Sequence, residues 1–335
     1  MRPIFHPELV NDTFGDPGLF LDFAFERRAL LFDLGDITRL APRKILRLSH
    51  VFVTHAHMDH FMGFDWLLRI CLGRETGITL FGPPGFIEQV QHKLAAYTWN
   101  LVERYPADFI VVACELQSDG RVHAAHFLCR KRFVREDLDE ARPADGVLVD
   151  EPGFRVRATV LDHATPCLGY LIEEKLHVNV WRNRLAELGL PVGPWLKDLK
   201  AAVIADLPPE TTISARWKEG LQIRERLLTI GELKSALAIV PGQRICYVTD
   251  VVYHEENVRR IVSLAREADL LFIEAVFLDE DAELAARKFH LTARQAGVIA
   301  CAAKARAVIP FHFSPRYSGR EAELREEVEQ AFRGA

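Results

Sequence analysis

The stretch His55-Ala56-His57-Met58-Asp59-His60 decides what this chain folds into. It follows the apolar run ILRLSHVFVTH (45–55), which reads as a strand. It precedes FMGFDWLLRICLG (61–73), whose apolar spacing predicts a helix that stops at Gly73. A turn between a strand and a helix can aim four ligands at one point, and imidazole nitrogen and carboxylate oxygen suit zinc or manganese. The pattern therefore predicts a metal site, in preference to a histidine-rich loop without a ligand role.

Three more residues of ligand type follow later predicted strands. His163 comes after VRATVLD, Asp250 after RICYVT and His312 after AVIPF. The carboxyl ends of strands are where α/β folds collect functional groups. One histidine in such a place means little, but three ligand-type residues in the same topological position favour a shared site.

Strands and helices alternate along the chain, which predicts an α/β layered fold. The further predicted strands are Ala29–Asp33, Ile78–Phe81, Phe109–Cys114, Phe154–Leu161, Arg244–Thr249, Leu270–Ala275 and Ala307–Phe311, with hairpin-like, polar material between the third and fourth. The further predicted helices are Phe86–Tyr97, Asn257–Glu267, Glu280–Lys288 and Thr292–Lys304. The stretch from Glu173 to about Gly242 holds two short amphipathic pieces and reads as a projecting insertion. We expect one domain, 1–335, with an inserted arm at about 174–240.

Composition narrows the class of protein. The 335 residues are 49% hydrophobic and 27% charged with a net charge of -5, which fits a soluble protein with a sizeable core and not a strongly basic nucleic-acid binder. Met1–Val10 lacks the apolar region of a signal peptide, and no apolar run is long enough to span a bilayer. The six cysteines are scattered without a Cys-x-x-Cys pair, so we expect reduced core thiols in a cytoplasmic protein.

Several segments together resemble a known family. The segments THAHMDH, LDHATPCLGYLIEE, VTD, FIEAVF, HLTARQAG and FHFSPRY occur in this order between Phe32 and Tyr317. They are similar to the metallo-β-lactamase fold and, within it, to the ribonuclease Z group. The piece RLAELGLPVGPWLKDLK resembles the Gly-Pro-containing arm by which that group grips tRNA.

The resemblance implies an αββα sandwich of the metallo-β-lactamase fold with two divalent metal ions, zinc or else manganese, at one edge. It implies one metal on His55, His57 and His163, a second on Asp59, His60 and His312, and Asp250 as the bridge between them. Two such metals activate a water and flank a phosphate during in-line displacement.

The resemblance also implies roles for residues that are not obvious ligands. It makes Glu274 and His290 a pair that handles the proton of the leaving oxygen, and it places Asp59 among the catalytic residues. Without it, Glu274 reads as a strand-end surface carboxylate and His290 as a residue before a helix. The candidate substrate contacts are Gly193, Pro194, Lys197, Lys200, Ser314 and Arg316.

Other features carry less weight. Lys175, Arg182 and Arg184, with the two arm lysines, make the arm modestly basic, while the basic run Cys129–Glu136 reads as a solvated face. The remaining histidines fit no constellation and read as surface or packing residues: His6, His50, His92, His123, His126, His177 and His254. The chain departs from the family at its N-terminus, at LGDIT (34–38), where the family has Cys-Gly-Glu-Gly-Thr, and at Thr249, commonly glycine.

Three hypotheses of function follow. The first is an endoribonuclease that removes the 3′ trailer of precursor tRNA, with RNA as its partner, no membrane association and a homodimeric state. The second is a small-molecule hydrolase on the same scaffold, acting on a cyclic nucleotide, another phosphodiester or a lactone. The third is a binding protein without catalysis, which the complete ligand set disfavours.

Overall fold

The computed structural model describes residues 4–24, 26–220 and 222–334. Residues 1–3, part of the N-terminal stretch that we expect not to be a signal peptide, lie outside the described residues, as do 25, 221 and 335. The chain divides into two compact units. The larger holds Ile4–Leu148, Val156–Ile172 and Arg244–Ala335, and the smaller includes Val149–Arg155 and Glu173–Gln243.

The first sheet has eight strands that are neighbours in chain order. Its central strands, from the third to the sixth, run parallel, and the outer pairs are antiparallel. The strands are β1 (Phe5–Leu9), β2 (Leu19–Phe23), β3 (Ala29–Phe32), β4 (Leu48–Phe52), β5 (Thr76–Gly82), β6 (Phe109–Leu116), β7 (Val122–Leu128) and β8 (Arg135–Ala141). β3 is buried along its whole length, as expected of a parallel strand covered on both faces.

The second sheet has six strands in the order β18-β17-β16-β11-β10-β9. They are β9 (Val147–Asp150), β10 (Phe154–Asp162), β11 (Pro166–Glu174), β16 (Arg244–Val248), β17 (Leu270–Glu274) and β18 (Val308–Phe311). The last three are parallel to one another. Their carboxyl ends therefore meet at one edge of the sheet, next to Asp250, Glu274 and His312.

Buried aromatic rings join the two sheets. Phe32 and Phe52 of the first sheet stack at 5.0 Å between ring centroids. Tyr170 of the second sheet lies 5.4 Å from the Phe52 ring and donates a hydrogen bond of 2.7 Å to the carbonyl of Val53. Tyr247 of the second sheet lies 5.7 Å from the Phe32 ring. This buried aromatic layer holds the sheets face to face and satisfies the buried hydroxyls.

Helices cover the outer face of each sheet. The first sheet packs against α3 and α4 through one apolar cluster, and the second packs against α8, α10 and α11 through another. The helices of the larger unit are α1 (Pro42–Ile45), α2 (Met58–Phe61), α3 (Phe64–Cys71), α4 (Phe86–Ala95), α8 (Glu255–Leu264), α9 (Ala282–Lys288), α10 (Ala293–Ala302) and α11 (Glu321–Phe332). The layers are helix, sheet, sheet and helix, so the expected αββα sandwich is confirmed.

The smaller unit has its own core, which includes Leu185, Trp195, Leu199 and Leu228. Its elements are β12 (Leu176–Val180), α5 (Arg182–Glu187), α6 (Leu196–Ile204), β13 (Thr212–Glu219), β14 (Gln222–Thr229), α7 (Ile230–Leu233) and β15 (Leu237–Pro241). β12 pairs with β15, and β13 pairs with β14.

The two ends of the smaller unit's long segment meet. The Glu174 amide donates to the Gln243 carbonyl at 2.8 Å, and the Gln243 amide donates back to the Glu174 carboxylate at 3.2 Å. Gly242 lies so close that a Cβ there would strike the Glu174 carbonyl. The first and last residues of the segment are therefore neighbours in space.

Most elements expected from the sequence are confirmed, with shifts of a few residues at their ends. The expected single helix over 61–73 is instead two helices, α2 and α3, because Gly63 packs tightly on the carbonyls of Leu34 and Gly35 and separates them. The expectation of six core thiols is wrong for Cys301, which is exposed; the other five are buried, and all six are free. Among the described residues, no helix combines the length and hydrophobicity that crossing a membrane requires.

The contact between α10 and α11 depends on Gly297. A Cβ at this position would strike the Val328 carbonyl and lie 2.7 Å from the Ala331 Cβ. We predict that Gly297→Ala destabilises the protein by about 1–3 kcal/mol, because overpacking outweighs the better helix propensity of alanine. Urea unfolding would measure the change. Gly153→Ala, with open space around the new Cβ, is the control, and equal stability of the two variants would contradict the prediction.

Candidate metal centre

The Asp250 carboxylate is the centre of the site. Its Oδ2 lies 3.4 Å from His163 Nε2, 3.5 Å from His60 Nε2 and 3.7 Å from His55 Nε2, and its Oδ1 lies 3.2 Å from His312 Nε2. Asp250 is 2% exposed and follows β16 with a left-handed backbone (φ 53°). The Thr249 hydroxyl donates to its Oδ1 at 2.7 Å, so the departure from the family's glycine adds a hydrogen bond.

Two groups of ligand atoms surround this carboxylate. His55, His57, His163 and Asp250 each place one donor atom within 4.8 Å of the others. His163 follows β10, and its Nδ1 hydrogen-bonds the Phe289 carbonyl at 2.8 Å. That bond fixes the ring and leaves Nε2 directed at the site, which is how ligand histidines are usually oriented.

The second group is Asp59, His60 and His312, also within 4.8 Å of one another. Asp59 and His60 are neighbours on α2, while His312 follows β18 with a left-handed backbone (φ 58°). The Asp59 Oδ2 lies 3.6 Å from His60 Nε2 and 3.8 Å from His312 Nε2. Backbone strain of this kind at both Asp250 and His312 is typical of functional positions.

The chemistry of these donors fits divalent cations. The Nε2 atoms of His55 and His60 are buried without a hydrogen-bond partner, although buried polar atoms are normally paired. Burial and the neighbouring His60 lower the pKa of His55 to about 2, so this imidazole is neutral, as a ligand must be. Burial raises the pKa of Asp250, but His60 and His312 outweigh it and hold the pKa well below its usual range.

A second buried carboxylate, Asp33, supports the site from behind. It accepts hydrogen bonds from the Thr54 amide (2.7 Å), the Tyr247 hydroxyl (3.0 Å) and His60 Nδ1 (3.0 Å). The last bond directs His60 Nε2 toward Asp250. Asp33 was not among the expected functional residues, although it ends the predicted strand Ala29–Asp33 and the candidate ligands follow strands of the same kind.

Glu274 and His290 form a pair beside the metal ligands. The His290 Nδ1 lies 2.8 Å from the Glu274 Oε2, and the amides of Val251 and Leu291 donate to the Glu274 Oε1 at 2.8 and 3.3 Å. Burial opposes the charged imidazole, but Glu274 outweighs it and raises the pKa of His290 to about 9. Asp250, Glu274 and His290 also place donor atoms within 4.8 Å of one another.

A cavity of about 410 Å³ opens onto the site, lined by His57, Asp59, His163, Asp250, His290 and His312, among others. A second cavity of about 320 Å³ shares Asp59, His290 and His312, and Ser314 lines it. Arg316 lines neither cavity and pairs with Asp281 at 3.1 Å. Lys288 lines both cavities and Phe289 the first, and the sequence reasoning assigned neither residue a role.

The other predicted substrate residues belong to the smaller unit. Gly193 and Pro194 precede α6, and Lys197 is exposed on it. Lys200 is half-buried, and burial lowers its pKa. The histidines expected to lie outside the site are at the surface or in packing: His92 is exposed beside Glu88, for example.

The seven ligand atoms predict two metal ions per chain, since they are too many for one tetrahedral zinc. We expect about two ions per wild-type chain and about one in His312→Ala, measured by elemental analysis after dialysis against the metal. His92→Ala is the control, because that exposed histidine lies outside the site. One ion in the wild type, unchanged in His312→Ala, would contradict the prediction.

Comparisons with known proteins identify the family of the chain. Residues 211–313 match the model of a beta-lactamase superfamily domain, and residues 16–76 match that of the metallo-beta-lactamase superfamily. The chain is 32% identical to a ribonuclease Z of Deinococcus radiodurans over 305 residues, which cover 90% of this chain and 86% of that protein. It is 33% identical to a ribonuclease Z of Thermobifida fusca over 315 residues, with coverages of 92% and 81%.

Solved structures agree on the fold. The short form of human tRNase Z is similar with a TM-score of 0.51 and 19% identity, covering 94% of this chain and 92% of that one. The metallo-beta-lactamase fold protein YhfI from Bacillus subtilis is similar with a TM-score of 0.55 and 16% identity, with coverages of 97% and 93%. The similarity to these structures shows the fold, and the sequence relatives show the family. The chain belongs to the ribonuclease Z family and has the metallo-β-lactamase fold.

Proposed function

We propose that this protein is an endoribonuclease that removes the 3′ trailer of precursor tRNA. One observation carries the proposal: both ligand groups and the Glu274–His290 pair surround one buried carboxylate, Asp250, which lines a cavity. A site for phosphodiester hydrolysis needs groups that bind cations and a group that supplies a proton to the leaving oxygen. The family's named members are ribonucleases Z, which makes RNA the substrate class.

The ligands divide naturally between two cations. His55, His57 and His163 would hold one, and Asp59, His60 and His312 would hold the other, with Asp250 facing both. We propose zinc as the native metal, because imidazoles dominate both groups. When bound, two such cations supply an activated water and neutralise charge on the phosphate.

Asp59 and His290 handle the protons. Asp59 is half-buried and lines both cavities, so its carboxylate can accept a proton from the attacking water. His290 has its Nδ1 on Glu274, which leaves Nε2 for the leaving oxygen of the substrate. Because Glu274 holds the pKa of His290 at about 9, the imidazole carries the proton that it must donate at neutral pH.

The smaller unit is proposed as the inserted arm that binds the body of the tRNA. Arg182 and Lys197 are exposed, as phosphate contacts must be. The competing interpretation of this segment is an apolar lid over the sandwich with incidental charge. Most of the unit's apolar side chains, such as Leu185 and Trp195, are instead buried in its own core. A cytoplasmic location and a homodimeric state complete the proposal.

The role of His290 predicts a substrate-dependent defect. His290→Ala should keep its metal and lose about 10²–10⁴-fold in kcat on precursor tRNA, because the leaving alkoxide then departs unprotonated. The defect should shrink on a nitrophenyl phosphodiester, whose leaving group needs no proton. His92→Ala is the control. Equal losses on both substrates would remove the assignment.

The role of the arm predicts a binding defect. Replacing Val178–Lys200 with a short Gly-Ser linker should raise the KM for precursor tRNA strongly and flatten its salt dependence, because each lost phosphate contact reduces counterion release. Hydrolysis of a small phosphodiester should suffer far less, since every proposed metal ligand belongs to the larger unit. Steady-state kinetics at several salt concentrations measures both effects.

Two outcomes would count against the arm. If RNA cleavage is unaffected, the segment does not bind the substrate. If activity on the small substrate collapses equally, the segment supports the fold of the site instead, and the hypothesis of a small-molecule hydrolase gains.

A further inference from the structure

We infer that Phe289 is a stacking platform for one base of the substrate and that Lys288 binds a phosphate beside the cut. The inference rests on the proposed function, because it names how the same cavity recognises a nucleotide. It concerns two neighbouring residues whose side chains have no part in the proposed metal-binding or proton-handling roles.

The backbone at Phe289 is the first observation. α9 ends at Lys288, and Phe289 follows in the left-handed conformation (φ 62°, ψ 34°). The turn is fixed, since the Phe289 amide donates to the Ala286 carbonyl at 3.2 Å and the His290 amide to the Ala285 carbonyl at 3.0 Å. Glycine is the usual residue at such a helix end, and a bulky side chain there is strained. The chain carries a phenylalanine where a glycine would make the same turn more easily.

The position of the ring is the second observation. Phe289 is 42% exposed and lines the 410 Å³ cavity, so its side chain is not buried in the hydrophobic core. Its ring lies edge-on to that of His163, with centroids 6.5 Å apart and an interplanar angle of 84°. A half-exposed aromatic ring thus stands directly beside a proposed metal ligand. This is where a base adjoining the scissile phosphate would lie.

The neighbouring charge is the third observation. Lys288 is exposed and lines both cavities. Within the described part of the chain its ammonium group forms no ion pair, whereas the guanidinium of Arg316 is paired with Asp281. An unpaired cation next to an exposed aromatic ring is the combination by which proteins bind single-stranded nucleic acid. A phosphodiester without a base would use only the cation.

Two substrates with the same leaving group separate the ring from the rest of the site. Thymidine 5′-(4-nitrophenyl) phosphate carries a base, and methyl 4-nitrophenyl phosphate does not. Phe289→Gly should lower kcat/KM for the thymidine substrate relative to kcat/KM for the methyl substrate by about ten-fold or more. Stacking of a base on one aromatic ring contributes that much to binding. Phe289→Tyr should keep the ratio, and both variants should keep the metal content of the wild type. The KM for precursor tRNA should also rise for Phe289→Gly, but not for Phe289→Tyr.

Salt dependence tests the lysine. Lys288→Ala should flatten the slope of log kcat/KM for RNA against log salt by about 0.7, the value for one contact on a single strand. Lys304→Ala is the matched control, because that exposed lysine lines a different cavity with Arg266 and Glu267. Equal slopes for Lys288→Ala and Lys304→Ala would overturn the phosphate contact.

The outcomes for Phe289 are equally distinct. Equal losses on both nitrophenyl substrates, or loss of metal, would mean that the side chain acts only by holding the Phe289 carbonyl in place against His163, and the platform would be overturned. An unchanged ratio would overturn it too. If the wild type does not cut precursor tRNA but the ratio still responds to Phe289→Gly, the proposed substrate fails and the platform stands. If the wild type cuts precursor tRNA and the ratio does not respond, the platform alone fails.

Discussion

The rest of the site depends on one buried carboxylate. Asp250 faces four imidazole nitrogens at 3.2–3.7 Å from a position almost closed to water. A buried anion is costly unless positive charge surrounds it, and the histidines or the cations they bind must supply that charge. The loops that carry the candidate ligands therefore all converge on the Asp250 carboxylate. The loops lie there because parallel strands of both sheets end at this edge.

The sequence predicted an α/β layered fold and several candidate ligands for a physical reason. Buried parallel strands are short apolar runs, and a polar residue directly after such a run stands out. His163, Asp250 and His312 were identified in this way, and the structure brings them together with the histidine motif. The roles of Glu274 and His290 came from family resemblance alone, because neither the spacing nor the composition around them points to proton transfer.

Other features could not be predicted because their signals are not local. Asp33 lies close to Tyr247 in space but 214 positions away in the chain, so the bond between them has no pattern in the sequence. Strand β8 is exposed along almost its whole length and lacks the apolar alternation that marks a half-buried strand. The left-handed conformation of Phe289 contradicts the usual preference for glycine, and only the folded helix end reveals it.

The closeness of the two ends of the proposed arm has an evolutionary consequence. Because Glu174 and Gln243 are hydrogen-bonded to each other, the segment of about seventy residues that they delimit begins and ends at neighbouring points. An insertion with adjoining ends can lengthen, shorten or be exchanged without forcing the strands before and after it to move. Under the proposed function, substrate choice can then diversify through this segment while the residues of the metal centre are conserved separately. Grafting another relative's segment between these two residues would be a natural route to an enzyme with altered RNA preference.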